Sequence, residues 1–412
     1  MRFFRNISIA FGAVVLTIAL FELGLRLSGA KYESSLYESD PVLYTALRPG
    51  AEGWQAKEGE NYIRINSWGM RDSERSLTAS PGTIRIALLG DSMVAAEQVP
   101  LEKTMAKLLE RRLQNEVGSS RHVEVLNFGV GGYTLAQEYL LLQTRVWNFH
   151  PDVVILLLSP SSVPSCDKRL YPANVPYFVI RDGHLVPDPA NHPPEASSPE
   201  RRHWHMLLGN LMNHVRLFQV IRKATQEGIP REIARLKRSK RPRNSNIIDM
   251  WLYPPSSPVQ ENAWQVATGI LHLISQTSRD HSAQLWLSSV GPEIEENPDP
   301  VARAQFLRTH KVANFNYAED RLHAIAAADG DRFISMESQL TEFAEHHHVS
   351  LRGFFNTRPN YGHWNESGNA VAALIVARDL QRDSFFDSQV HSGPVKVAQN
   401  RWVRDQRSSL VP

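Results

Sequence analysis

Two side chains in this chain of 412 residues have the types and settings that nucleophilic catalysis needs. Ser92 follows Gly90 and Asp91 directly after an apolar stretch that predicts a strand. A serine hydroxyl is a weak nucleophile until a neighbouring base takes its proton, and a histidine is the usual base. His363 lies in the motif at residues 360–368, immediately before an amphipathic stretch. Taken alone, a serine directly after a strand is most often a helix N-cap.

A glycine-rich motif lies between these two. Residues 127–133 read Asn-Phe-Gly-Val-Gly-Gly-Tyr. Glycines let a backbone approach a ligand closely or present a free N–H group, and a plain tight turn explains them equally well. The glycine motif therefore indicates a functional site only in combination with the motifs that contain Ser92 and His363.

Metal and disulfide chemistry have little support in the sequence. The single cysteine, Cys166, excludes an intrachain disulfide and a multi-cysteine metal cluster. Three consecutive histidines at residues 346–348 are better interpreted as a surface loop, because adjacent residues rarely face one ion. We therefore expect no metal and no organic cofactor.

The elements around the motifs alternate between apolar strands and amphipathic helices, as in a parallel sheet buried on both faces. Strands are predicted at residues 84–89, 123–127, 153–158, 283–290 and 332–336, and helices at residues 101–113, 135–146 and 366–380. Ser92 and the glycine motif follow the first and second strands, and His363 precedes the last helix. All three should therefore lie at the carboxyl edge of the sheet, where open α/β folds bind ligands.

The regular pattern is interrupted between residues 159 and 282. This insert is rich in proline at residues 187–199. Residues 216–243 contain ten Lys or Arg against two Glu. Such a run fits either a solvated helix face or contact with an anionic membrane surface or polymer.

The N-terminus contains the strongest apolar run, 15 uncharged residues at 7–21 behind two arginines. An uncleaved signal anchor would keep the arginines in the cytoplasm and export the body of the protein. A cleavable signal peptide would use the small residues 28–30 as its cleavage site. We favour the anchor, because Glu22 and Arg26 are unusual inside a cleavable signal. Both interpretations place the body outside the cytoplasm.

The composition is that of an ordinary globular protein, and the chain divides into four predicted segments. The chain is 42% hydrophobic and 21% charged, and its net charge of +2 is too small to indicate a nucleic-acid-binding protein. The predicted segments are a membrane anchor at residues 1–30, a linker with a small β-hairpin at 31–82, an α/β domain at 83–386 with the basic insert at about 160–282, and an exposed tail at 387–412.

In their order, the three motifs resemble those of the SGNH/GDSL esterase superfamily: Gly-Asp-Ser, then Asn-x-Gly-x-x-Gly, then Gly-His-x-Asn-x-x-Gly. Residues 21–27 and 66–71 are similar to segments of its membrane-anchored, extracytoplasmic bacterial members. The resemblance covers residues 84–162 and 283–380. It implies a flavodoxin-like three-layer α/β/α sandwich with a parallel five-stranded sheet, preceded by one transmembrane helix, and hydrolysis or transfer of an ester acyl group.

The resemblance also implies roles for single residues. Ser92 would be the nucleophile and His363 its base, while the backbone N–H groups of Ser92 and Gly132 would donate to the oxyanion. Two positions depart from the family pattern. Ser161 stands where the family has an Asn as third oxyanion donor, and Asn360 stands where it has the catalytic acid, three residues before the histidine.

The second departure is the more serious, because an amide can orient an imidazole but cannot stabilise its charged form. A carboxylate from elsewhere, such as Glu366 or Asp320, is an alternative partner for His363.

Two functional hypotheses follow. The first is a membrane-anchored serine ester hydrolase or O-acyltransferase. It would act through Ser92 and His363 on an acylated cell-envelope glycan or lipid, on the periplasmic side of the cytoplasmic membrane. The second is a catalytically degenerate relative that binds an acylated polymer or a partner protein in envelope modification. The distance between the Ser92 hydroxyl and the His363 ring distinguishes the two hypotheses.

Overall fold

A computed structural model describes residues 2–118, 121–193, 204, 207–209, 212–225 and 245–383 of the chain. The predicted C-terminal tail and the part of the basic run beyond residue 225 lie outside the described residues.

The described segments contain the following elements. The strands are β1 (Tyr37–Asp40), β2 (Tyr44–Leu47), β3 (Glu52–Gln55), β4 (Asn61–Arg64), β5 (Thr83–Gly90), β6 (His122–Asn127), β7 (Val153–Leu158), β8 (Phe178–Arg181), β9 (His184–Pro187), β10 (Gln284–Ser289) and β11 (Arg332–Ile334). The helices are α1 (Arg2–Leu27), α2 (Ser92–Ala95), α3 (Met105–Val117), α4 (Leu135–Thr144), α5 (Arg216–Lys223), α6 (Ser245–Leu252), α7 (Pro258–Asp280), α8 (Pro300–His310), α9 (Tyr317–Asp329), α10 (Glu337–His347) and α11 (Glu366–Arg382).

Five parallel strands form the central sheet in the order β6-β5-β7-β10-β11. Counted along the chain, this is the order 2-1-3-4-5 of flavodoxin-like sheets. Side chains of β7 alternate between two apolar clusters, with Val154 and Leu156 on one face and Val153 and Ile155 on the other. The predicted three-layer α/β/α sandwich with a parallel five-stranded sheet is therefore confirmed.

One long helix differs from the sequence interpretation. Residues 160–282 are predicted as an insert, but α7 at its end is the crossover helix between β7 and β10. Its side chains Trp264, Ile270 and Ile274 are fully buried against the sheet. Each such burial contributes roughly 1.5–3 kcal/mol, so this part of the predicted insert belongs to the core.

The segment predicted as a linker with one hairpin contains two antiparallel hairpins, β1–β2 and β3–β4. Leu36, Leu47 and Ile63 from this segment are buried in the same apolar cluster as one face of the central sheet. The hairpins are therefore packed on the α/β domain, and the turn between β3 and β4 is held against it.

The N-terminal helix α1 has a different environment. Residues Phe3–Leu27 carry three charged side chains, Arg5, Glu22 and Arg26, and the most apolar part of this helix is not buried inside the protein. At 1.5 Å per residue, 25 residues extend about 37 Å, which exceeds the roughly 30 Å of a bilayer core. By length and composition this helix can cross a membrane. A signal sequence near the N-terminus has the same length and composition.

Candidate active site

Ser92 is presented by a sharp transition from β5 to α2. Gly90 has a φ of +157°, and a Cβ there would lie 2.5 Å from the Val94 side chain and 3.1 Å from the Leu157 carbonyl oxygen. Asp91 then caps the helix, since its carboxylate accepts a hydrogen bond of 2.9 Å from the Met93 N–H. This turn places Ser92 at the carboxyl end of the strand, as the motif predicts.

The structure brings Ser92 and His363 together. The Ser92 hydroxyl donates to Nε2 of the His363 ring across 2.8 Å. His363 lies in the loop before α11, which is anchored because the Asn365 side chain accepts hydrogen bonds from the Ser367 and Gly368 N–H groups. The 271 residues between the two side chains are thus bridged within hydrogen-bond reach.

The other nitrogen of the imidazole is hydrogen-bonded to Glu58. Nδ1 of His363 donates to Oε2 of Glu58 across 2.7 Å, and the backbone N–H of His363 donates to the same oxygen across 2.9 Å. Partial burial by itself raises the pKa of Glu58. The hydrogen bonds and charge of His363, with the charge of Arg352, outweigh this and hold the pKa below its usual value. A carboxylate therefore fixes the tautomer that leaves Nε2 free to accept the serine proton.

The position of Glu58 depends on two close contacts. It occupies the turn between β3 and β4, where the Gly59 N–H donates to the Asn356 side chain across 2.7 Å. Gly362 has a φ of +80°, and a Cβ there would lie 2.6 Å from Oε2 of Glu58. The histidine loop can approach the carboxylate only because this residue is a glycine.

Asn360 does not fill the place expected of it. Its backbone N–H donates to the Ser350 hydroxyl, and its side-chain oxygen is buried without a hydrogen-bond partner among the described residues. Glu58 holds the ring nitrogen that Asn360 was expected to orient. The two alternative carboxylates are elsewhere, since Glu366 pairs with Lys103 at the exposed start of α11 and Asp320 lies in the first turn of α9.

The predicted oxyanion loop lies beside the serine. A Cβ on Gly131 would come within 3.9 Å of the Ser92 Cβ, and the Val130 N–H donates to the Gly90 carbonyl across 3.2 Å. Gly132 follows with a φ of +79° and open space around its α carbon. Its N–H group stays a predicted donor to the oxyanion.

Ser161 is hydrogen-bonded to a neighbouring serine and is not among the residues that line the cavity around Ser92. Its hydroxyl contacts the Ser159 hydroxyl at 2.9 Å, and Ser159 in turn donates to the Asp91 carboxylate across 2.7 Å. Ser159 and Pro160 line the cavity around Ser92. The hydroxyl at the predicted third oxyanion position is therefore part of a chain that holds Asp91.

A buried arginine is hydrogen-bonded to the loop that contains His363. Arg352 donates to the Gly362 carbonyl across 2.9 Å and forms a two-point ion pair with Glu296, at 3.0 and 2.7 Å. The Trp364 indole donates to the same carboxylate across 2.9 Å. The residues on both sides of His363 are thus tied to one buried ion pair.

The cavity over this site has a volume of about 250 Å³. Glu58, Ser92 and His363 line it together with Glu293. Burial raises the pKa of Glu293, although an N–H bond from the Gly362 backbone and the charge of Arg352 act in the opposite direction. A larger cavity of about 810 Å³ lies beyond β6 and contains neither the serine nor the histidine, so the reactive groups rather than size identify the active site.

Comparisons with known proteins give structural neighbours only. No protein-family model and no curated protein matches the chain. Among solved structures, the chain is similar to TesA with 13% identity and a TM-score of 0.33, over 72% of this chain and 98% of that one. It is also similar to the acetyl xylan esterase AlAXEase, with 15% identity and a TM-score of 0.38 over 72% and 100% of the two chains. A putative lipolytic G-D-S-L protein from Desulfitobacterium hafniense matches with 10% identity and a TM-score of 0.34, over 71% and 98%. Identities and TM-scores this low do not indicate a function, whereas the geometry of the site does.

Proposed function

We propose that this protein is a serine ester hydrolase of the SGNH/GDSL type. Ser92 is its nucleophile, His363 its general base, and Glu58 the carboxylate that orients and stabilises the imidazole. The observation that supports this is the continuous relay from the Ser92 hydroxyl through both ring nitrogens to Glu58, with distances of 2.8 and 2.7 Å.

The relay accounts for acylation. Nε2 of His363 takes the proton as the Ser92 oxygen attacks the ester carbonyl carbon, and the carbonyl oxygen becomes an oxyanion. The backbone N–H groups of Ser92 and Gly132 donate to that oxyanion. The positive imidazolium is stabilised by the Glu58 carboxylate, and its proton then passes to the leaving alcohol.

Deacylation uses the same groups in reverse. His363 removes a proton from water as the water oxygen attacks the acyl carbon on Ser92. The bond between that carbon and the Ser92 oxygen then breaks, the imidazolium returns its proton to the Ser92 oxygen, and the carboxylic acid is released. If an acceptor hydroxyl takes the place of water, the same steps transfer the acyl group to the acceptor. The relay supports both outcomes, and an acyltransferase is the alternative form of this proposal.

Glu58 answers the main objection to an active enzyme. Replacement of the family's acid by Asn360 would leave the imidazolium without a counter-charge, and this underlies the hypothesis of a degenerate binding protein. The carboxylate instead comes from the turn between β3 and β4. The geometry therefore favours catalysis over binding alone.

For the substrate, we propose an acylated glycan or lipid of the cell envelope. The cavity of about 250 Å³ is smaller than typical pockets for drug-sized ligands, which supports a short acyl group with the rest of the substrate outside. The length and apolar composition of α1 support a single-pass anchor in the cytoplasmic membrane. We propose that the body lies on the periplasmic side, because Arg2 and Arg5 precede the apolar run and favour a cytoplasmic N-terminus. Proteins of an envelope-modification system are proposed partners.

Acetyl-ester turnover by the purified full-length protein tests the proposal. The Ser92→Ala variant is the matched control, and peptide mass spectrometry after rapid quenching locates the acyl group. We expect turnover in the parent, loss of turnover in the variant, and an acetyl adduct on Ser92. Equal turnover in both proteins would refute the serine mechanism. Adding an acylated polysaccharide with a second, unacylated acceptor distinguishes hydrolysis from transfer.

A further inference from the structure

Helix α5 buries a polar side chain and exposes two large apolar ones. Gln219 faces the body of the protein and is only 2% exposed, whereas Phe218 and Ile221 are 42% and 48% exposed. A helix on a water-facing surface shows the opposite arrangement, with its apolar side against the core. The exposed apolar face of α5, defined by Phe218 and Ile221, therefore has an orientation suited to an apolar environment.

The buried polar side of α5 is satisfied by the protein. Gln219 accepts from Arg216 across 2.9 Å and donates to the Asn213 carbonyl, and Arg222 donates to the Asn213 side chain across 3.2 Å. These bonds account for the inward orientation of the polar groups. The helix is thus held in place by polar contacts and leaves Phe218 and Ile221 exposed.

The same helix begins at the end of α1. The Glu22 carboxylate accepts hydrogen bonds from the Arg216 and Leu217 N–H groups, at 3.0 and 2.9 Å. Arg26 pairs with Glu22 at 2.8 Å and donates to the His214 carbonyl across 2.6 Å. If α1 crosses a bilayer, these contacts place α5 at the level where α1 leaves the lipid.

Further exposed apolar side chains lie close to α5 in the sequence. Trp204, Leu207 and Leu208, which precede α5, are also exposed. Lys223, at the end of α5, is an exposed cation. Tryptophan and lysine are common at the boundary between lipid and water, where the ring enters the headgroup region and the ammonium meets phosphate.

We propose that α5 lies in the lipid–water interface of the bilayer that α1 spans, with its exposed apolar face in a phospholipid surface. This inference rests on the membrane anchoring in the proposed function. It has a structural consequence for the active site, because Asn213 donates to the Ser35 and Glu52 carbonyls at 3.0 Å each. Glu52 begins β3, and Glu58 lies in the turn after that strand. Helix α5 therefore sets the orientation of the catalytic domain relative to the membrane.

The test uses the full-length protein in vesicles of phosphatidylcholine and phosphatidylglycerol that contain lipids with a nitroxide at a shallow or a deep acyl position. Phe218→Cys and Ile221→Cys are labelled separately with a fluorophore, and both side chains are exposed, so the fold tolerates the label. Val301→Cys on α8 is the matched control, since it is an exposed apolar residue on another surface. Val15→Cys reports on α1, and the buried native cysteine, Cys166, gives the background.

Interfacial helices insert about 5–10 Å into the headgroup and acyl boundary, so we expect the shallow nitroxide to quench labels 218 and 221 about twofold or more and to leave 301 unchanged. The label at 15 should respond most to the deep nitroxide. Quenching at 15 with none at 218 and 221 would overturn the placement of α5 while preserving the anchor. Absence of quenching at 15, 218 and 221 would overturn both the placement of α5 and the membrane anchor. Protection of 218 and 221 from aqueous iodide without quenching by lipid would indicate a protein partner and would also overturn the proposal.

Discussion

The assignment of Glu58 as the charged partner of His363 is most directly tested by Glu58→Gln. Glutamine has the same length, and its carbonyl oxygen can still accept from Nδ1 and from the backbone N–H of His363. The tautomer and position of the ring are therefore retained. The change removes the negative charge that stabilises the imidazolium in the transition state.

The expected loss follows from the geometry. A carboxylate and an imidazolium whose charge centres are about 4 Å apart attract by about 4 kcal/mol at an effective dielectric constant of 20. The side chains of His363 and Glu58 are 27% and 20% exposed, so water reduces this to about 3 kcal/mol. That energy corresponds to a decrease of about 100-fold in kcat. A serine protease loses about 10⁴ when its aspartate becomes asparagine, because the replacement also stabilises the wrong tautomer.

The assay compares steady-state hydrolysis of an acetyl ester by the parent and by Glu58→Gln. Asn360→Gly is the matched control, because glycine accepts the φ of +59° at that position and removes the side chain first expected to orient the imidazole. We expect kcat to fall in Glu58→Gln, KM to change little, and Asn360→Gly to stay within about threefold of the parent.

The opposite pattern would refute this reasoning. If Asn360→Gly lost about 100-fold and Glu58→Gln retained full kcat, the carboxylate would have no part in stabilising the imidazolium. Thermal unfolding of both variants shows whether a loss of activity reflects a loss of fold.

Further predictions concern the supports of the site. Gly362→Ala should displace the Glu58 carboxylate and reduce kcat at least tenfold. Gly82→Ala is the control, because Gly82 has the same φ of +80° but open space around it, and it should lower only the free energy of unfolding, by about 1 kcal/mol. An equal loss of kcat in both variants would contradict a steric effect at Gly362. Arg352→Met leaves the Glu296 charge buried without its partner, so it should lower the free energy of unfolding by about 3–5 kcal/mol in urea titrations. A loss below about 1 kcal/mol would be inconsistent with a buried ion pair. Burial and the charge of Glu319 raise the pKa of Glu337 from 4.5 to about 7, so the folded protein holds a proton that the unfolded chain releases and stability falls between these pH values. Glu337→Gln should therefore become more stable relative to the parent from pH 5 to pH 8, and a difference independent of pH would contradict the raised pKa.

Much of the fold was predictable because it follows from local patterns. Strand β7 coincides with the predicted residues 153–158, and the other four sheet strands lie within two residues of their predicted ends. Uninterrupted apolar runs identify buried strands without knowledge of their neighbours. The sequence pattern places helix α7 in the insert, because the basic and proline-rich residues before it interrupt the alternation of strands and helices.

The supports of the site were less predictable. The pairing of Ser92 with His363 follows from the order of the motifs along an α/β sheet, since both motifs must meet at one edge. The role of Glu58 could not be read in the same way, because it lies 305 residues from His363 in a segment that looks like a linker. The alternating residues 62–65 predict a strand of a small hairpin in this segment. No local pattern predicts which turn contacts the histidine.

The amino-acid sequence by itself determined the strand and helix pattern, the nucleophile and base candidates, and an N-terminal helix of membrane-spanning length. These properties depend on hydrophobic periodicity and on motif order, which are local in the chain. Tertiary structure alone decided that Glu58 rather than Asn360 holds Nδ1 of His363, and that α5 exposes its apolar side. Both depend on packing between distant segments, where a glycine at position 362 and a carboxylate at Glu22 give the contacts their final geometry.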